Sequence, residues 1–171
     1  MFFYPFETIQ QTTMTKIWNI VNTAKPEDWW RENNKVEWRL SLPYDTFVDD
    51  PKSNCLIQRF VSPHRLYVQR LEPRTSYNWH LDYARTVSIC MCLNELKDSF
   101  TLFANKQTDN DPFHWFNLEP LYYEENTVYL IDGQLPHTGI NLSYNTRYLV
   151  SISLNGYVTL SSIIKYLNQK F

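Results

Sequence analysis

From Val36 to Leu154 the chain breaks into short stretches whose side chains alternate with a period of two. This pattern constrains the fold more than any other feature of the sequence. Val36, Trp38, Leu40 and Leu42 alternate with Glu37, Arg39 and Ser41, as on a strand with two unlike faces. Leu56 to Val61 and Leu66 to Leu71 read as two further strands, parted by Ser62–Pro63–His64. Thr86 to Leu93, Ser99 to Ala104, Thr127 to Ile131 and Tyr148 to Leu154 complete the set. Most of these stretches follow one another too closely to leave room for crossover helices. The pattern excludes an alternating βαβ fold and predicts a β-sandwich or barrel with helices packed outside.

Helical periodicity is confined to the two ends. Thr12 to Ala24 places Ile17, Ile20, Val21 and Ala24 on one helical face. Pro26–Glu27–Asp28 predicts a short second helix ending near Asn33–Asn34, with proline and acids in its first turn. A last helix is expected over about Leu160 to Gln169, with Ile163, Ile164 and Leu167 facing inward. A chain of 171 residues suits a single domain. The expected division is a mostly helical support over 1–35, a β core over 36–156 and a C-terminal helix over 157–171.

Composition narrows the function. The only glycines are Gly133, Gly139 and Gly156, so neither a dinucleotide fingerprint nor a Walker A loop can be built. Aromatic residues make up 16% of the chain, which predicts a ring-heavy core and leaves rings for a dimer surface. The formal charge is −2 and the basic residues do not cluster, which argues against nucleic acid as a partner. The aromatic start Met1–Phe2–Phe3–Tyr4–Pro5–Phe6 lacks the basic and long apolar regions of a signal peptide. No apolar run approaches the ~20 residues of a membrane span. Cys55, Cys90 and Cys92 read as thiols of a reducing compartment, and a cytoplasmic protein is expected.

The chemistry gathers around two of the four histidines. In Trp79–His80–Leu81–Asp82 the spacing i, i+2 projects His80 and Asp82 to the same side of extended backbone. Asp132–Gly133–Gln134–Leu135–Pro136 then leads through a turn to His137. Two imidazoles and one carboxylate make a facial triad for Fe(II) that leaves positions open. Arg147 follows ten residues later at the start of the next strand, where a guanidinium can grip a carboxylate with two bonds.

The ordered set His80-x-Asp82, His137 and Arg147 resembles the Fe(II)/2-oxoglutarate-dependent oxygenases. Leu71–Glu72–Pro73 looks like the lead-in of their aspartyl/asparaginyl β-hydroxylase and proline-hydroxylase branch, and His137–Thr138–Gly139–Ile140–Asn141 like its distal-histidine segment. The resemblance covers Leu66 to Leu154. It implies a mainly β fold, a double-stranded β-helix or jelly roll of cupin-like kind with flanking helices. It implies Fe(II) on His80, Asp82 and His137, with 2-oxoglutarate and O2 as co-substrates. The far carboxylate of 2-oxoglutarate would pair with Arg147. The reaction would hydroxylate an unactivated C–H bond and release succinate and CO2. Related halogenases lack the carboxylate ligand, so Asp82 favours hydroxylation.

Around this set the readings stay open. Many family members carry a serine two residues after the arginine, where this chain has Leu149; Ser151 and Ser153 on the same strand face are the candidates to replace it. Arg85 is a second candidate carboxylate binder, or a surface or substrate-facing charge. Tyr77, Asn78, Trp79 and Tyr83 flank the metal segment, Tyr67 is a candidate to reach 2-oxoglutarate, and His114 lies in a polar loop over Asn105–Phe116 that is a candidate lid. His64 reads as a turn residue. Asn141–Leu142–Ser143 matches a glycosylation sequon, which the expected cytoplasmic setting makes irrelevant. The alternative functions are a non-oxidative cupin-like metal protein, an isomerase or small-molecule binder, which needs no Arg147, and a jelly-roll module without catalysis. The expected substrate is a small molecule or an amino-acid or peptide side chain.

Overall fold

The computed structural model describes residues 1–31, 35–62, 65–82, 86–94, 97–106, 115–155 and 158–171. His64, Tyr83, Arg85 and His114 lie outside them, as does most of the 105–116 loop. Two antiparallel sheets form the body. The larger contains β1 (Phe3–Thr8), β2 (Trp38–Ser41), β3 (Leu66–Leu71), β5 (Val87–Cys92), β8 (Thr127–Asp132) and β10 (Arg147–Ser153), in the order β1-β8-β5-β10-β3-β2. The smaller contains β4 (Thr75–Ser76), β6 (Ser99–Lys106), β7 (Trp115–Leu121) and β9 (His137–Asn141), in the order β4-β9-β6-β7. The helices are α1 (Gln11–Thr23), α2 (Pro51–Phe60) and α3 (Leu160–Lys170).

The period of two gives the larger sheet two unlike faces. On β10, Val150 and Ile152 point into an apolar core that includes Val68 of β3, Ile89 and Met91 of β5, and Val128 and Leu130 of β8. Met14, Ile17 and Val21 of α1, Leu56 and Ile57 of α2, and Leu160, Ile163 and Leu167 of α3 close that core from outside. Each such fully buried side chain contributes about 1.5–3 kcal/mol. The alternate residues of β10, Arg147, Leu149, Ser151 and Ser153, belong to the other face. There they stand in register with Gln69 and Tyr67 of β3 and with Ser88, Cys90 and Cys92 of β5. That face meets the smaller sheet through a ring-rich cluster of Phe2, Cys90, Phe103, Leu121, Tyr129, Ile131 and Leu149. The space between the sheets is therefore walled by polar side chains as well as by rings.

The structure departs from the sequence reading in several places. Leu56 to Val61 is not a strand but the second half of α2, which buries Ser53, Leu56 and Ile57. Pro51 opens that helix, and the i, i+3, i+4 spacing of the buried set, not its apolar density, was the informative signal. Glu7 of β1 accepts the Lys52 and Ser53 amides at 2.9 and 2.8 Å and so caps α2. Asp50, just before α2, accepts the Gln10 amide at 2.8 Å and the Thr13 hydroxyl at 2.5 Å, capping α1 in return. The helix expected after Pro26 is a single 3-10 turn over Pro26–Asp28, because Trp30 instead pairs its backbone with Arg39 beside β2. Phe3–Thr8, read from sequence only for its lack of a leader, is the edge strand that pairs with β8. Finally, the Asn141 side chain is fully buried. Its amide donates to the carbonyls of Leu71, Glu72 and Asn145 at 3.1, 3.1 and 2.9 Å. It closes the turn between β9 and β10 and is not presented for glycosylation. Among the described residues no helix is long and apolar enough to cross a membrane.

Candidate functional site

The site lies between the sheets, where the segment after β4 crosses the start of β9. His80 and His137 exchange two backbone hydrogen bonds at 3.1 Å each, which sets the two rings side by side with centroids 4.3 Å apart. Asp82 donates its amide to the Gly133 carbonyl at 2.8 Å, and Gly133 in turn donates to Thr86 at 2.9 Å. These bonds hold the carboxylate beside the first residues of β5. The His137 Nε2 stands 3.7 Å from Asp82 Oδ2, and the His80 Nε2 stands 4.0 Å from Asp82 Oδ1.

Each imidazole is oriented from behind. The Nδ1 of His80 is 2.9 Å from the Asn78 carbonyl, and the Nδ1 of His137 is 2.8 Å from the Leu135 carbonyl. A carbonyl only accepts, so each Nδ1 carries a proton and each Nε2 is turned toward Asp82. Both imidazoles thus present the nitrogen a metal needs, in the backing arrangement common to metal-ligating histidines. The three donor atoms lie within 4.8 Å of one another. Two imidazole nitrogens and one carboxylate in this geometry fit a divalent iron ion held from one side.

A cavity extends from these donors between the sheets. Its walls include Gln69, Cys90, Leu149 and Ser151 from the larger sheet and Thr101 and Gly139 from the smaller one. Arg147 closes one end. It is only 2% exposed, yet it pairs with no carboxylate among the described residues. Its two terminal nitrogens donate to the Phe100 carbonyl at 3.2 Å and the Thr101 hydroxyl at 3.1 Å, and its Nε has no hydrogen-bond partner among the described residues. The Tyr123 ring lies 5.2 Å from the guanidinium carbon, and the Tyr123 hydroxyl is 3.0 Å from that of Thr101. Burial works against the charge on Arg147, but the surrounding Tyr123, Cys92 and Tyr77 groups outweigh it and hold the pKa above its ordinary value. Burial, with Glu37 behind it, likewise raises the Tyr77 phenol, and burial together with Cys90 raises that of Tyr123. Both phenols stay protonated and can donate into the cavity. A buried cation without a counter-ion is costly, and a bound carboxylate is what would relieve the cost.

Gly139 makes this end possible. A Cβ there would stand 2.8 Å from the Tyr77 ring and 3.3 Å from an Arg147 terminal nitrogen. Gly139→Ala is expected to displace the Tyr77 ring and to cost about 1–3 kcal/mol of stability. A thermal melt checks this, and an unchanged melting temperature would refute it.

The structure brings His80, Asp82, His137, Arg147 and Ser151 to one cavity, with Tyr77 and Leu149. Ser153 is buried on the same face of β10 but does not line it. Trp79 is 36% exposed and points out of the core. Tyr67 is buried on the cavity face of β3, its ring 4.8 Å from the Arg39 guanidinium. Arg39 also forms a buried ion pair of 2.9 Å with Glu37. Thr101, Tyr123 and Gln69 were not legible as site residues. Thr101 and Arg147 lie 46 residues apart, and only the packing of the smaller sheet on the larger one joins them.

No family model matches the chain, and no curated protein matches it. Solved structures do. A Pseudomonas putida prolyl-4-hydroxylase superposes with a TM-score of 0.65 at 10% identity, over 91% of this chain and 93% of that one. A prolyl hydroxylase from Trichoplax adhaerens, in complex with a hypoxia inducible factor peptide fragment, gives 0.63 at 12% identity over 90% and 83%. HygX from Streptomyces hygroscopicus, with nickel and 2-oxoglutarate bound, gives 0.62 at 10% identity over 92% and 84%. The chain has the double-stranded β-helix fold seen in these proteins.

Proposed function

We propose that the protein is an Fe(II)- and 2-oxoglutarate-dependent dioxygenase that hydroxylates a C–H bond of a small molecule or of an amino-acid or peptide side chain. The observation that carries this reading is the buried Arg147 guanidinium, which faces the His80–Asp82–His137 donor set across one cavity and lacks any carboxylate partner of its own among the described residues. A non-oxidative cupin-like metal site has no use for that cation. The structural neighbours support the same chemistry: one holds 2-oxoglutarate and nickel, and another holds a peptide.

In this reading His80, Asp82 and His137 would hold Fe(II), where O2 would be activated with 2-oxoglutarate as the electron-donating co-substrate. Arg147, with Thr101 and Tyr123 beside it, binds the far carboxylate of 2-oxoglutarate and fixes its direction. Ser151 lines the same wall and offers a further hydroxyl to the co-substrate. The carbonyls of Asn78 and Leu135 keep the imidazole protons on Nδ1. Phe103, packed 5.8 Å from the His137 ring, and Ile131 keep water from the inner side of the site. Arg85 remains the proposed second carboxylate binder; it lies outside the described residues.

Anaerobic addition of 2-oxoglutarate to the Fe(II)-loaded protein is expected to give the weak visible charge-transfer band of the chelate. Succinate is expected to form once air is admitted. Folded, iron-loaded protein that gives neither would overturn the assignment.

A further inference from the structure

The end of the cavity opposite Arg147 carries information about the substrate. Arg147 opens β10, and Ser151 stands about 13 Å further along at ~3.3 Å per residue. Ser151 is in register with Cys90, and Ser88 lies two residues beyond Cys90 on β5, facing Ser153. The bond chain from Asp82 through Gly133 to Thr86 ties the metal donors to this same end of β5. A co-substrate that spans from the donor set to Arg147 therefore leaves the Ser88 end vacant for the substrate.

Ser88 is 4% exposed and lines the cavity, and its hydroxyl has no hydrogen-bond partner among the described residues. A hydroxyl buried without a partner costs about 1–3 kcal/mol, and a neighbouring backbone carbonyl commonly relieves it. Here β5 is paired on both sides, with β8 and β10, so its carbonyls are engaged. The other walls at this end are Cys90, Ile131 and Ser151. Arg147 at the far end is the sole lysine or arginine among the described residues that line the cavity. Beyond the metal donors, no lysine or arginine among the described residues lines the Ser88 end to offer a counter-charge to an anion, and its serines do not match an alkyl chain.

Building on the dioxygenase reading, we infer that the Ser88 end receives an uncharged hydrogen-bonding group of the substrate, a hydroxyl or a carboxamide, and that Ser88 Oγ is its partner. Ser88 is then a specificity residue close to the C–H bond under attack. It discriminates a polar group from its apolar isostere, because the hydroxyl is left unpaired by the latter.

The test uses isosteric probes on the Fe(II)-loaded protein with 2-oxoglutarate in air, reading succinate. The probes are the N-acetyl amides of threonine and valine, and of asparagine, leucine and aspartate. Threonine is expected to stimulate turnover more than valine, and asparagine more than leucine or aspartate. In Ser88→Ala the KM for the preferred probe is expected to rise about tenfold, with the 2-oxoglutarate charge-transfer titration unchanged. The Ser88→Ala melting temperature is expected to hold or rise, since the variant removes an unpartnered hydroxyl. Preference for valine, leucine or aspartate, no stimulation by any probe, or an unchanged KM in Ser88→Ala would each overturn the inference. Loss of the charge-transfer band in the unmodified protein would instead strike at the dioxygenase reading itself.

Discussion

Arg147→Met is expected to leave the ligand-free protein at least as stable as the parent while weakening its binding of 2-oxoglutarate by roughly thirty-fold or more. The two effects share one cause. The guanidinium is 2% exposed and meets a carbonyl, a hydroxyl, a ring and the Cys92 thiol, but no carboxylate among the described residues. Without a carboxylate, the fold carries the desolvation of a cation for function rather than for stability. Methionine fills similar volume and removes the charge together with its desolvation. In the bound state the balance reverses, because truncating one partner of a buried charged pair costs about 2–5 kcal/mol, or roughly thirty-fold or more in affinity. Thermal melts with and without 2-oxoglutarate measure both. The parent, loaded with Fe(II), should gain about 2.7 kcal/mol at a hundred times the dissociation constant, and the variant no more than about 1 kcal/mol at the same concentration. A variant that gains as much stability from 2-oxoglutarate as the parent would refute the role given to Arg147.

His137→Ala is expected to lower Fe(II) affinity by at least about a hundredfold. Removing even the outer partners of a metal ligand costs 10–100-fold, and this ring is a donor itself. Its place is built by backbone: two bonds to His80 and a ring bond to the Leu135 carbonyl. The alanine variant keeps both backbone bonds, so the crossing of the two segments should survive. Metal analysis after loading and desalting, with circular dichroism as the check on folding, reads the outcome. Metal content equal to that of the parent would show that the donor set is not an iron site, and would favour a jelly roll without catalysis.

Much of the site was legible because its residues obey a local rule. The His80-x-Asp82 spacing places both donors on one side of extended backbone wherever the segment lies. Arg147 could be placed at a strand start from the alternation that follows it. Leu56 to Val61 was misread because a short apolar run looks alike on a strand and on a buried helix. The cue that decided it, the Pro51 start with buried Ser53, Leu56 and Ile57, becomes visible only once a helix is considered. Thr101, Tyr123 and Ser88 carried no signal at all. A threonine or serine on a strand reads the same whether its hydroxyl faces solvent, a guanidinium or an empty cavity.

The sequence by itself determined the two-faced strands, the helices at both ends and the order in which four chemically marked residues appear. These follow from spacing along one chain, which backbone geometry converts directly into direction. Only the tertiary structure decided that His80 and His137 cross, that Arg147 is buried without a counter-ion, and that Ser88 ends the same cavity. Those facts depend on which strands pair and on how one sheet packs over the other. Burial, and with it the cost of an unpaired charge or hydroxyl, has no value until that packing exists.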